Sequence, residues 1–219
     1  MMAVENKEME INVGKQDLLR VLAASQGVVQ RKTTIPILSN FLLEAEDDKL
    51  TVTATDLDQT VQTSCAAKIK SPGACTVPAR KLYEYIKLLP DGEITVRQME
   101  NHWVQFRMGR SNTKMAGLSR ANFPEVPKFP EASTVRLPVA VLRSMISKTI
   151  FAIADEESRY TLNGALLVIK AGGLVMVATD GHRLAHVEKT GETFPVSGEK
   201  RSLIPQRAMN ELLSLLANT

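Results

Sequence analysis

Apolar positions recur along the chain at two different spacings. Leu18, Val21 and Leu22 stand at i, i+3 and i+4, and Leu82, Tyr85, Ile86 and Leu89 follow the same rule, which is the stripe of an amphipathic helix. Leu50, Val52 and Ala54, and later Val104, Phe106 and Met108, instead alternate with their neighbours as a strand with one covered face does. Turn-forming runs bound these stretches: Glu46-Asp47-Asp48, Pro90-Asp91-Gly92 and Gly109-Arg110-Ser111-Asn112. Helices and short strands in this arrangement predict an α+β module, two helices packed on antiparallel sheet.

The pattern then repeats. Leu38-Ser-Asn-Phe-Leu-Leu43 returns as Leu162-Asn-Gly-Ala-Leu-Leu167, and Leu50-Thr-Val-Thr-Ala-Thr-Asp56 returns as Leu174-Val-Met-Val-Ala-Thr-Asp180, both 124 positions later. The same offset carries Leu18, Val21 and Leu22 onto Leu142, Met145 and Ile146. At an offset of 127, Val77-Pro-Ala-Arg80 parallels Ile204-Pro-Gln-Arg207, and Leu82, Tyr85, Ile86 and Leu89 parallel Met209, Leu212, Leu213 and Leu216. A fixed internal period means two copies of one module. Each copy opens with a helix and carries a second helix with proline near its first turn.

The proline-rich stretch 122–130 resembles a stiff linker, because its prolines forbid continued helix or central strand. The expected organisation is a leader over 1–8, a first module over 9–130 and a second over 131–219. The first copy runs on past its second helix through Glu93–Met99, Trp103–Met108 and Thr113–Leu118, whereas the second reaches Thr219 soon after its own. The second module is therefore expected to be incomplete, with an exposed sheet edge.

Composition narrows the class. With 219 residues, 44% hydrophobic and 23% charged, the chain is an ordinary folded protein of one or two domains. No run approaches the roughly 20 apolar residues of a membrane helix, and the polar start Met1–Glu10 lacks the plan of a secretory signal, so a cytoplasmic location is expected. Cys65 and Cys75 sit in strand-like surroundings without CxxC spacing or a histidine cluster, and read as small apolar residues, with no metal or cofactor implied. The net charge of +3 does not by itself identify a nucleic-acid protein, since local patches decide that.

Five ordered motifs now carry a resemblance: Thr34-Ile-Pro-Ile-Leu-Ser-Asn40, Ala54-Thr-Asp-Leu57, Thr76-Val-Pro-Ala-Arg-Lys81, Arg159-Tyr-Thr-Leu-Asn-Gly164 and Ala178-Thr-Asp-Gly-His-Arg-Leu-Ala185. Together they resemble the β sliding clamp of bacterial DNA polymerase III over about Glu10 to Ala217. The resemblance implies the DNA-clamp fold, with three such modules per subunit. Two subunits meet head to tail in a ring, helices lining the hole. It implies no catalysis and no cofactor, but a processivity factor that encircles duplex DNA without regard to sequence. Partners would be the catalytic subunit of DNA polymerase III, the clamp loader, repair proteins with a clamp-binding motif, and a second full-length copy. A third module is expected to be absent here.

The resemblance also implies sites. A clamp offers cations to phosphates rather than side chains to base edges. Lys15, Arg20, Arg80, Lys81, Lys87, Arg143, Lys148 and Arg207 lie on polar helix faces or helix starts. Of these, Arg80, Lys81, Arg143 and Arg207 are the chosen DNA contacts, joined by Lys32 before the Ile35-Pro36-Ile37 run and by Arg159 and Tyr160. Relatives can carry a second aromatic after Tyr160, where this chain has Thr161, which puts an aromatic pair in doubt. The peptide pocket implied by the resemblance takes Leu162, Thr179, Gly181, His182, Arg183 and Leu184: two leucines to wall a slot, a glycine for close approach, and two polar side chains at the rim. The rest of that pocket would come from a third module, so a half-pocket is expected. Arg80, Lys81 and Tyr85 would face a partner subunit, although Tyr85 also belongs to its helix's apolar stripe.

Two other readings stay open on the residues alone. Asp180 and His182 could form an acid–base pair with Ser39 or Ser158 as nucleophile, although no G-x-S-x-G, P-loop or HExxH motif accompanies them. The modules could also form a protein-interaction scaffold without DNA. The shared placement of Arg80 and Arg207 after the helix-opening proline favours DNA over that scaffold.

Overall fold

The structure is a computed structural model and describes residues 8–29, 34–126, 135–154, 162–191, 193–196 and 198–217. The chain divides into two compact units, Met1–Pro127 and Lys128–Thr219, a division slightly ahead of the expected Glu131.

In the first unit, β1 (Glu10–Gly14) runs directly into α1 (Lys15–Ser25). There follow β2 (Asn40–Glu46), β3 (Lys49–Thr55), β4 (Thr60–Ala66), β5 (Lys68–Ser71), β6 (Gly73–Pro78), α2 (Ala79–Leu88), β7 (Glu93–Gln98), β8 (Trp103–Met108) and β9 (Ser111–Ala116). Asp47 and Asp48 join β2 to β3 with φ of 48° and 57°, the doubly left-handed hairpin turn that matches strand twist and that aspartate tolerates. Two antiparallel sheets result, ordered β5-β1-β7-β8-β9 and β4-β3-β2-β6. The observed strands agree with the alternating runs read from the sequence.

One core joins both sheets to both helices. Leu18, Val21 and Leu22 from α1 and Leu82 and Ile86 from α2 meet Phe41, Leu43, Leu50 and Val52 on one side and Ile94, Val96, Val104 and Phe106 on the other, all essentially without solvent contact. Burial of each such side chain stabilises the unit by about 1.5–3 kcal/mol before the entropy of ordering it. Cys65 and Cys75 are free and buried. Desolvation raises their thiols to about 11 and about 12, aided at Cys65 by the Asp17 carboxylate, so both stay neutral.

The opposite face of the β2–β6 pair holds a smaller cluster of Ile37, Leu38, Leu42 and Phe123. Thr76 closes it: its hydroxyl accepts from Asn40 Nδ2 at 3.1 Å and from the Leu118 N–H at 2.8 Å, and donates to the Leu118 carbonyl at 2.8 Å. Gly117 permits this approach, since a Cβ there would lie 1.9 Å from the Thr76 carbonyl oxygen.

The second unit contains α3 (Val139–Thr149), β10 (Gly164–Lys170), β11 (Gly173–Thr179), β12 (Leu184–Thr190), β13 (Lys200–Pro205) and α4 (Gln206–Ala217). Its sheet order, β12-β11-β10-β13, repeats β4-β3-β2-β6 strand for strand. Pro138 and Pro78 cap α3 and α2, and Pro205 directly precedes α4, as their fixed φ favours. Met145, Ile146, Leu167, Leu174, Met176 and Met209 form this unit's core. Val135 and Leu137 pack on it where Ile11 and Val13 of β1 serve the first unit. Among the described residues no second sheet covers the helices here, and Leu212, Leu213 and Leu216 on α4 stay half-buried.

Gly117→Ala should cost about 2 kcal/mol or more, because a methyl group cannot share space with a backbone carbonyl. Urea unfolding followed by circular dichroism measures this, and an unchanged midpoint would refute the close approach.

Candidate functional site

Strands β11 and β12 are joined by a turn in which short polar side chains replace backbone ladder bonds. Asp180 Oδ1 accepts the N–H groups of His182 and Arg183, both at 2.9 Å. Thr179 Oγ1 accepts the Gly181 N–H at 3.1 Å and donates to the Arg183 carbonyl at 2.7 Å. The first unit builds the same bracket. Asp56 Oδ1 accepts from the N–H groups of Asp58 and Gln59 at 3.1 and 2.8 Å, while Thr55 Oγ1 accepts from Leu57 at 3.1 Å and donates to the Gln59 carbonyl at 2.9 Å. The Thr-Asp pair common to both copies is therefore a turn device. Its third residue takes a left-handed φ, 91° at Gly181 and 80° at Leu57. Glycine adopts that value without strain, and leucine does not. Gly181 is thus favoured by backbone conformation, where Leu57 of the first unit bears the strain.

Asp180 also accepts from Arg183 Nε, at 2.8 Å through Oδ2. The His182 N–H, the Arg183 N–H and the Arg183 side chain together hold its carboxyl at about 2, so it is ionised and fully engaged at neutral pH. The acid–base pair considered from the sequence is not assembled: Asp180 meets the backbone of His182, not its ring. Ser158 lies outside the described residues. Among the described residues no group of His, Cys, Asp and Glu could hold a metal ion.

Around the bracket the side chains are apolar and open. Leu184 begins β12 at 65% exposure. Phe151, in the 3-10 turn that follows α3, is 55% exposed, and the Arg183 guanidinium lies 5.7 Å from its ring centroid. Leu162 is half-buried, and its carbonyl accepts the Ala154 N–H at 3.0 Å. Leu166 pairs with Val177, so the start of β10, just after Leu162, lies beside the end of β11 that enters the turn. Thr179, Gly181, His182, Arg183 and Leu184 thus share one turn, with Leu162 at the neighbouring strand start. Phe151 was not among the residues singled out from the sequence, where a lone phenylalanine behind a helix reads as core.

The cationic candidates divide. Arg80 and Lys81 are exposed on α2, with Arg80 paired to Glu84 at 2.9 Å, and Arg143 and Arg207 are exposed on α3 and α4. Lys15 stands at the start of α1 as expected, half-buried and facing Asp91 at 3.6 Å, because β1 feeds α1 beside the turn before β7. Arg20 pairs with Asp17 at 3.3 Å. Tyr85 packs against the core and its hydroxyl meets Ser111 Oγ at 2.8 Å, which ties α2 to the start of β9. Lys32, Arg159 and Tyr160 lie outside the described residues.

Residues 9–127 match the N-terminal domain of the DNA polymerase III beta subunit, and residues 136–219 match its central domain. The chain belongs to the DNA polymerase III beta subunit family. It is 35% identical to the beta sliding clamp of Pseudomonas aeruginosa over 209 residues, covering 95% of this chain and 57% of that protein. It is 34% identical to that of Escherichia coli K12 over 210 residues, covering the same shares. The crystal structure of the DNA polymerase III subunit beta from Pseudomonas aeruginosa superposes with a TM-score of 0.88 at 36% identity, over 95% of this chain and 57% of that one. The sliding clamp of Bacillus subtilis gives 0.89 at 25% identity over the same shares. The chain thus spans a little over half the length of the clamps it matches, and the α+β fold of this beta subunit family is the one observed here.

The lowered pKa of Asp180 has a direct consequence. Its bracket adds stability that is present above the ordinary aspartate value of 3.8 and is lost as pH falls through about 2. The amide signals of His182 and Arg183 should titrate together near pH 2 in NMR spectra, and Asp180→Asn should abolish that step. A midpoint near 3.8 would show the bracket to be open in solution.

Proposed function

We propose that this chain serves as part of a DNA sliding clamp: a non-catalytic processivity factor that helps encircle duplex DNA and docks replication and repair proteins through a peptide-binding site. Membership of the beta subunit family carries the reading. The open turn of the second unit supports the docking half, because it sets apolar Leu184 beside polar His182 and Arg183 on a backbone already held in place. A short peptide with apolar terminal residues would seat against Leu162 and Leu184, while His182 and Arg183 meet its oxygens and Thr179 and Gly181 keep the turn in shape. Expected partners are the polymerase III catalytic subunit, the clamp loader and other proteins with such a peptide. Replication on chromosomal DNA implies a cytoplasmic location. No described helix is long and apolar enough to cross a membrane.

For DNA, the supporting observation is that Lys81, Arg143 and Arg207 stand exposed on helices of both units. Contacts of this kind are sequence-independent and salt-screened, which suits a duplex that must slide. Lys32, Arg159 and Tyr160 belong to the same proposal. Arg80, Lys81 and Tyr85 are proposed to face a second subunit in a homodimeric ring, Tyr85 by holding α2 against β9 rather than by direct contact.

Titration of the isotopically labelled chain with a short peptide ending in leucine and phenylalanine tests the docking site. Shifts should concentrate on Gly181 to Leu184 and vanish in the Leu162→Ala, His182→Ala double variant; shifts spread elsewhere, or none, would remove the docking reading. In duplex-binding measurements at several salt concentrations, Arg143→Glu with Arg207→Glu should weaken affinity alike for all sequences and reduce the salt slope by about two. An unchanged slope would move the scaffold reading ahead.

A further inference from the structure

The internal duplication supplies a comparison within one chain. The Thr-Asp bracket is common to both units, so whatever differs around it is not needed to make the turn. At the common offset, Leu57, Asp58, Gln59 and Thr60 of the first unit correspond to Gly181, His182, Arg183 and Leu184 of the second. Gly27 of the first unit corresponds to Phe151 of the second, and both lie in the 3-10 turn that follows the module's first helix. The fold is therefore built once without any side chain at this place. In the second unit a large aromatic appears there, and it stands outside the core: Ile150 packs against the core and Ala152 and Ile153 are buried within it, while Phe151 remains 55% exposed. Folding gives no reason for an open phenylalanine at that position, and among the described residues the cation over its ring is Arg183.

That contact acts on a side chain held from a second direction. Arg183 Nε donates to Asp180 Oδ2 at 2.8 Å, while the guanidinium carbon lies 5.7 Å from the Phe151 centroid. A long arginine ordinarily loses much rotamer freedom when it meets a ligand. Here the carboxylate fixes the base of the fork and the ring supports its face, a cation–π arrangement that costs the planar group little hydration. Among the described residues, Asp180 is the acceptor that the Arg183 side chain uses, which leaves its Nη donors for an incoming oxygen.

We propose that Phe151 is a positioning residue of the docking site: its ring holds the Arg183 guanidinium ready for a carbonyl or carboxylate oxygen of a docked peptide. The exposed remainder of the ring is apolar, as is Leu184, the residue after Arg183. This rests on the docking reading above. The five decorations, Phe151, Gly181, His182, Arg183 and Leu184, form a set that the first unit lacks entirely, so the first unit's turn is expected to bind no such peptide.

The test compares the labelled chain with Phe151→Leu, which keeps bulk but removes the π face, and Phe151→Tyr, which keeps both. Two quantities are read by NMR: the dissociation constant for a short peptide ending in leucine and phenylalanine, and the ring-current shift of the Arg183 side-chain protons without peptide. Phe151→Leu should erase the ring-current shift and weaken binding by about threefold or more, while Phe151→Tyr stays near wild type on both. Because Phe151 is exposed, the amide signals of β10–β13 should persist in each variant, which separates positioning from loss of fold. Wild-type affinity in Phe151→Leu, or a tyrosine variant as weak as the leucine one, overturns the proposal and leaves the docking site standing. A wild-type chain whose Gly181 to Leu184 signals do not respond to peptide defeats the docking reading, and the proposal with it.

Discussion

Each unit depends on covering one apolar face of a four-stranded antiparallel sheet with two helices. Leu50, Val52 and Ala54 project from the sheet of the first unit toward Leu18, Val21 and Leu22 of α1, and Leu174, Met176 and Ala178 meet Met145 and Ile146 of α3 in the second. Neither partner is stable alone: a helix of about eleven residues is marginal in water, and a sheet with one bare apolar face is an invitation to aggregate. The pairing also sets direction. Once one face of each helix is committed to the sheet, its polar residues must point outward, and this places Lys81, Arg143 and Arg207 at the surface.

The units part company at their second layer. In the first, β7 and β8 add Ile94, Val96, Val104 and Phe106 to the core, β9 adds Met115, and Tyr85 ties α2 to β9 through Ser111. In the second, the described residues supply no such layer, and the leucines of α4 remain partly open. The α4 stripe is as regular in sequence as that of α2, so the difference lies in what surrounds the helix and not in the helix.

The same separation of scaffold from use governs the turn between β11 and β12. Two side chains, a threonine and an aspartate, satisfy most of the donors and acceptors that a tight connection leaves over, and they do so identically in both units. With the backbone held by these bonds, the residues at the tip are free to vary. The first unit places Asp58 and Gln59 there and tolerates a strained Leu57, while the second places His182 and Arg183 and relieves the strain with Gly181. A preorganised turn costs a ligand less ordering than a mobile loop would, which is why polar rim groups on such a turn can contribute to binding.

Much of this was legible in the sequence. The helical and alternating periods located the elements, because burial on one face leaves a spacing that depends only on backbone geometry. The 124-residue repeat revealed the duplicated module before any residue was placed in space, and the family motifs pointed to the turn at Thr179–Leu184 as a site. What the sequence could not decide was the part each of those residues plays. The role of Asp180 as a backbone anchor, the half-burial of Lys15 against Asp91, the joining of Tyr85 to Ser111, and the meeting of Phe151 with Arg183 all bring together groups that no local spacing relates. Periodicity reports which face of an element is buried; only packing in three dimensions decides which side chains from distant elements come within bonding distance, and so which charges are engaged and which remain available.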